Sequence, residues 1–137
     1  MPHSLDRFIA AQADSYDTAL AELIAGTKRS HWMWYIFPQI AGLGQSPTAV
    51  FYAIGDLDEA RAYLAHPLLG CRYLACTAAL ERHAGRSAAS IMGDVDALKL
   101  RSSLTLFAAA GAPDPVARAL TTFFATPDPA TLRLIGC

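Results

Sequence analysis

Residues 56–85 read DLDEARAYLAHPLLGCRYLACTAALERHAG, and the punctuation of this stretch decides the fold class. Asp56 followed by Glu59 has the spacing of a capping box, with aspartate in the usual Ser or Thr place. The helix it opens should pass through Arg61, Tyr63 and Leu64 and stop before His66-Pro67, because a residue preceding proline is pushed out of the helical region. Pro67 sits well at a first helical position, where its missing N–H has no helical partner to lose. The helix it starts should run to about Ala84, with Gly85 as its stop. His66 reads as a cap or a packed ring.

The same grammar extends in both directions. Ser46-Pro47, Asp114-Pro115 and Asp128-Pro129 repeat the cap-then-proline signal. Ser87 opens a short helix ending at Gly93. Asp94 caps a longer one from Val95 to Ala110, closed by Gly111. Upstream, Ser4 can cap a helix with Leu5, Phe8, Ile9 and Gln12 on one side. Tyr16, Leu20, Leu23 and Ile24 continue the i, i+3, i+4 pattern after a bend near Asp14, and Gly26 ends it. No stretch alternates with a period of two. Residue types alone would allow Trp32–Phe37 as a short strand, but Ser30 as a cap and Pro38 as a stop favour a short helix. The expectation is an all-α fold, a single compact domain over residues 1–137 with about seven or eight helices, several of them short.

Composition supports a folded domain. The chain has 137 residues, 53% of them hydrophobic and 17% charged, which excludes disorder and suffices for a real core. Net charge is −1, so no basic excess signals a nucleic-acid groove. Cys71, Cys76 and Cys137 fit neither a zinc site nor a disulfide framework and read as reduced thiols. The N-terminus lacks the apolar core of a signal peptide, and no apolar run approaches the roughly 20 residues that span a membrane. A cytoplasmic protein without a membrane partner is expected.

A site is signalled by residues 28–45, KRSHWMWYIFPQIAGLGQ, which hold both tryptophans of the chain. Aromatic rings give a pocket large stiff walls, and Trp and Tyr add a polar edge. Trp32 and Trp34 are candidates to wall a pocket for a flat ligand, against the plainer reading of a central buried element. Lys28, Arg29 and His31 would offer donors to phosphate or carboxylate, and Gln39 and Gln45 would read hydrogen-bonding edges. Gly42, Gly44 and Ser46 form a glycine turn running into a helix start, which can present N–H groups to an anion or be a plain turn. In the helix from Asp94, Asp96, Lys99 and Ser103 align on one face and Lys99, Ser102 and Ser103 form a close set, while Val95, Leu98, Leu106, Phe107 and Ala110 should face the core. Two serines and a threonine in mid-helix reduce propensity, which points to buried hydrogen bonds or to a ligand. Glu59 and Asp96 are candidate acids or bases, although capping explains most carboxylates near helix starts. His83 lies near a helix C-terminus, and His3 near the chain end. No HxxxH, HExxH, GxSxG, Walker or dinucleotide pattern occurs, so neither a metal nor a cofactor is expected.

Five segments together carry a resemblance: RFIAAQ at 7–12, KRSHWMWYIFPQIAGLGQSPTA at 28–49, EARAYLAHPLLGCR at 59–72, D-x-x-K-x-x-S-S-x-T-L-F at 96–107 and DPATLRLI at 128–135. The chain resembles the bacterial domain-of-unknown-function family 1810, often mislabelled calpastatin. That resemblance implies small all-helical cytoplasmic proteins with no settled activity, so it carries over no catalytic residue. Leu104 stands where methionine is expected, a volume-conserving change. A looser similarity, in the order of an aromatic and glutamine segment, an EAR-bearing helix and a Lys-to-Phe helix, is to the NADAR domains. These are thought to cleave an N-glycosidic bond in ADP-ribose-type compounds. By that analogy Trp32 or Trp34 would stack a base, Lys28, Arg29 and the Gly42–Ser46 turn would hold phosphate, and Glu59 or Asp96, oriented by Lys99, would stabilise a cationic transition state. The competing expectation is a non-enzymatic helical interaction module or small oligomer, with the aromatic cluster as core or interface.

Overall fold

The computed structural model describes residues 4–136, so the expectations for His3 and Cys137 lie outside the described residues. Ten helices follow one another among them: α1 (Asp6–Ala13), α2 (Tyr16–Ala25), α3 (Met33–Ile36), α4 (Pro47–Phe51), α5 (Leu57–Ala65), α6 (Leu69–Glu81), α7 (Ala88–Met92), α8 (Asp94–Ala109), α9 (Asp114–Phe124) and α10 (Pro129–Ile135). The all-helical expectation holds, with short helices raising the number. No strand is present among the described residues. A single parallel bridge joins Ile40 to Ile54, through Ile54 N–H to the Gln39 carbonyl and Ala41 N–H to the Ile54 carbonyl, both 2.8 Å.

Side-chain caps explain several of the boundaries. The caps expected at Asp94 and Asp114 are not formed, since Gly93 and Pro113 take the cap positions of α8 and α9, and Leu5 rather than Ser4 takes that of α1, all three without a side-chain hydrogen bond. Ser46, Asp56, Ser87 and Asp128 each accept the backbone N–H three residues on. Glu59 completes its box one residue early, accepting the Gly55 N–H at 2.7 Å rather than that of Asp56. His66 Nδ1 accepts the N–H groups of Leu68 and Leu69 and so caps α6. Gly26 ends α2 with φ +78°, a left-handed conformation that glycine adopts without penalty. His83 Nε2 meets the Leu23 and Ile24 carbonyls and Arg86 donates to the Gly26 carbonyl, so residues after α6 close the end of α2.

α8 is the axis, packing against α5, α7, α9 and α10, while α6 packs against α2, α5 and α9. From Ser102 to Phe107 every residue of α8 is buried. The mid-helix hydroxyls are therefore internal. Ser103 shares a 2.9 Å hydrogen bond with the Tyr73 hydroxyl. Thr105 donates to the Arg101 carbonyl and accepts the Asp128 N–H, and Ser102 donates to the Leu98 carbonyl and to Asp128. The core is strongly aromatic, with Tyr73 and Phe107 ring centroids 4.4 Å apart and Tyr63, Phe37 and Phe8 extending the cluster through tilted and edge-on contacts.

One expectation about α8 is corrected. Val95 and Leu98 do not face the core: they are 68% and 65% exposed, and Ala97 and Leu100 take the inward positions. The helix is apolar on more than one side, so its sequence pattern does not set the phase, and the neighbouring helices do.

The aromatic segment is tied down by Glu22. Its carboxylate accepts hydrogen bonds from the Arg29 and Ser30 N–H groups at 2.8 and 3.0 Å, the Ser30 hydroxyl at 2.6 Å and the Trp32 indole at 2.9 Å. Ser30, expected as the cap of the aromatic helix, instead donates to Glu22, and α3 begins after Trp32 without a side-chain cap. Burial pushes the Glu22 carboxyl up, but these hydrogen bonds outweigh it and hold it down at about 2, from an ordinary 4.5.

Because the folded form holds that proton less tightly than the unfolded chain, Glu22 contributes stability in full above pH 4.5 and loses it as pH falls toward 2. Glu22→Gln should remove about 2 kcal/mol at neutral pH, as loss of charge-assisted hydrogen bonds does, and flatten the acid limb of stability between those limits. Denaturant melts across pH 2–7 check this, and parallel curves for variant and parent would contradict it. A Cβ on Gly70 would collide with the backbone carbonyl of Leu64 at the α5–α6 turn. Gly70→Ala should therefore cost about 3 kcal/mol, read as a drop in melting temperature.

Candidate functional site

The Glu22 anchor separates the two tryptophans. Trp32 is 1% exposed and packs on Phe37, so it is a core residue. The expectation that it stacks a ligand base is corrected: its indole N–H and ring are occupied by protein. Trp34 lies half-buried at the surface.

Between them sits a charge cluster. Lys28, with its side chain only 7% exposed, pairs with Asp96 Oδ2 at 2.9 Å, donates to the Ser30 carbonyl at 2.5 Å and lies 4.9 Å from the Trp32 ring centroid. Lys99 approaches the other Asp96 oxygen at 3.6 Å and lies 5.0 Å from the Trp34 centroid. Asp96 is thus flanked by two ammonium groups, and each ammonium covers one indole. Lys28 is saturated inside, whereas Lys99 keeps one loose ion pair at the surface.

Beside this cluster a groove of about 330 Å³ runs between the Gln39–Gly44 segment and α8 with α10. Gln39, Gly44, Lys99 and Ser102 line it, as do the misphased Val95 and Leu98. Residues 39–44, downstream of the aromatic run, and α8 line this concavity, at the low end of the size range of small-molecule sites, whereas Lys28, Trp32, Trp34 and Asp96 are not among its lining residues. Arg101 and Asp128 also line it; the sequence signals Asp128 only as a helix cap, and Arg101 not at all. Arg101 donates to Thr126 and to the Pro127 carbonyl. Burial pushes the Asp128 carboxyl up, yet bonds from Thr131 and Ser102, with Arg101 close by, hold it below the usual carboxylate range.

The remaining candidates lie elsewhere. Ser103 is sealed inside against Tyr73. His31 is exposed and does not line the groove. Ser46 spends its hydroxyl on the Ala49 N–H, so the anion-binding expectation for the Gly44–Ser46 turn meets a helix start that is already capped. Glu59 lines a separate groove and pairs with Arg7 at 3.1 Å. The structure does not bring it to Asp96 and Lys99. Glu22, the residue that orders the whole segment, carries no motif, and only its contacts across α2 reveal it. Among the described residues no group of three or more His, Cys, Asp or Glu is placed to hold a metal ion. Burial pushes the Cys76 thiol up to about 12, against a smaller lowering by Arg72, which makes it a packing group rather than a nucleophile. No helix among the described residues is long and apolar enough to cross a membrane.

Comparison with curated proteins finds no match. Among solved structures, the chain is similar to the conserved hypothetical protein Rv1873 from Mycobacterium tuberculosis, with 46% identity and a TM-score of 0.95 over 100% of this chain and 99% of that one. A family described as a protein of unknown function, DUF1810, has a model that matches residues 2–135. The chain belongs to that family, DUF1810.

Proposed function

We propose that the groove beside Trp34 binds a small anionic compound with a flat ring, of the nucleotide or ADP-ribose type. The observation that carries this reading is Lys99, a cation on the groove wall held by one ion pair of 3.6 Å and resting on the indole of Trp34. A phosphate can take the protons that Asp96 does not use, and Arg101 adds a second positive charge from the same wall. Gln39 supplies an amide at the opposite wall, and Val95 and Leu98 offer apolar surface to a ring or ribose face. Such a division, apolar walls with a few polar groups that fix orientation, is the ordinary composition of a ligand site.

Cleavage of an N-glycosidic bond in such a ligand would need a carboxylate facing the sugar. Asp96, paired with the groove-lining Lys99, lies nearer to that role than Glu59, which is committed to Arg7 in another groove. Binding comes first in this reading, and hydrolysis is the finer step within it.

Calorimetric titration with ADP-ribose, ADP, AMP and ribose 5-phosphate tests the proposal. Lys99→Ala should weaken the best ligand by about tenfold or more, the usual loss of a charged hydrogen bond, and should reduce the salt dependence of binding. Trp34→Leu should weaken it by roughly fivefold. Absence of binding by every compound at millimolar concentration, or binding unchanged in both variants, overturns it.

A further inference from the structure

A second groove, of about 910 Å³, is larger than the first and shares no lining residue with it. Leu5, Ala41, Val50, Ala53 and Ala62 form its apolar walls. Arg7 lies beside it with its side chain only 5% exposed. That guanidinium is fully engaged by its surroundings: it donates to the carbonyls of Ser4, Phe51 and Ala53 at 2.6 to 2.8 Å and to Glu59 at 3.1 Å. An anionic ligand therefore finds no idle cation there.

The start of α5 sets the charge of this groove. Asp56, Asp58 and Glu59 all line it, against Arg7 alone, which leaves two negative charges around an apolar hollow. Arg61 pairs with Asp58 at 3.3 Å without lining the groove, and with it counted the balance is still negative. The three carboxylates also satisfy the positive end of α5, so the helix start does not recruit an anion. Asp56 gives one oxygen to the Glu59 N–H, and the side chain of Asp58 is 90% exposed.

We infer that this groove binds a small lipophilic amine. Its hydrocarbon part lies against Leu5, Val50 and Ala62, and its ammonium group lies at the Asp56–Asp58 end. Desolvation of the tail supplies most of the affinity, and the acidic end supplies the preference for positive charge.

Titration of the full chain with n-alkylammonium ions from butyl to octyl, alongside alcohols and carboxylates of equal length, tests the inference. Affinity should rise roughly two- to fourfold per methylene, and octylammonium should bind at least tenfold tighter than octanoate. Asp58→Asn should shrink the preference of amine over alcohol by about threefold while circular dichroism stays unchanged. Ala62→Trp should fill the hollow and abolish binding of every chain length. If that variant fails to fold, Asp58→Lys, at a side chain that is 90% exposed, should repel the ammonium ion and spare the alcohol. Equal binding of octylammonium and octanoate, no binding by any amine, or no effect of these substitutions overturns the inference. None of these results bears on the Lys99 groove, which is tested with anions.

Discussion

A single carboxylate organises the part of this protein that its sequence makes conspicuous. Glu22 collects two backbone N–H groups, a hydroxyl and an indole N–H from residues 29–32, and so pins an aromatic run onto α2. A buried indole N–H without a partner would forfeit about 1–3 kcal/mol of what its ring gains by burial. Glu22 supplies the partner, and Trp32 can go inside. Once it is inside, the helical turn that follows leaves Trp34 at the surface, and the chain emerges toward Gln39 and Gly44 along the groove. Lys28 enters with Trp32 and needs a counter-charge, which Asp96 provides from α8. That pair joins the early segment to the central helix, and Lys99, three residues on, completes the cluster from outside.

The central helix obeys the same rule of satisfied burial. α8 carries Ser102, Ser103 and Thr105 through the interior, and each hydroxyl has a partner: Asp128 and the Leu98 carbonyl, Tyr73, or the Arg101 carbonyl and the Asp128 N–H. These bonds fix the rotation of α8 about its own axis. With Ser103 turned toward Tyr73, Leu100, Leu104 and Phe107 face the core, and Val95 and Leu98 emerge beside the groove. Two apolar residues at the surface are then the consequence of a polar arrangement inside.

Local signals were legible in the sequence because their physics is local. Asp56, Ser87 and Asp128 cap helices three residues downstream, and Gly26 and His66 punctuate where their conformations demand it. The phase of α8 was not legible, since apolar residues occur on several of its faces and only tertiary partners choose among them. Which tryptophan is buried was equally hidden, because Glu22 acts across seven to ten residues with no motif of its own. The larger groove leaves no trace in spacing: its walls are short apolar residues from separate elements, and its acids read as ordinary helix caps.

The structural division between Trp32 and Trp34 is therefore the pivot of the functional reading. Two-dimensional nitrogen–proton NMR during titration with ADP-ribose addresses it most directly, since each indole gives its own signal. The account predicts that the Trp34 indole and amides of residues 39–44 and 98–102 shift together while the Trp32 indole stays in place. A shift of the Trp32 indole with Trp34 unmoved, or no localised change at saturating ligand, would contradict it.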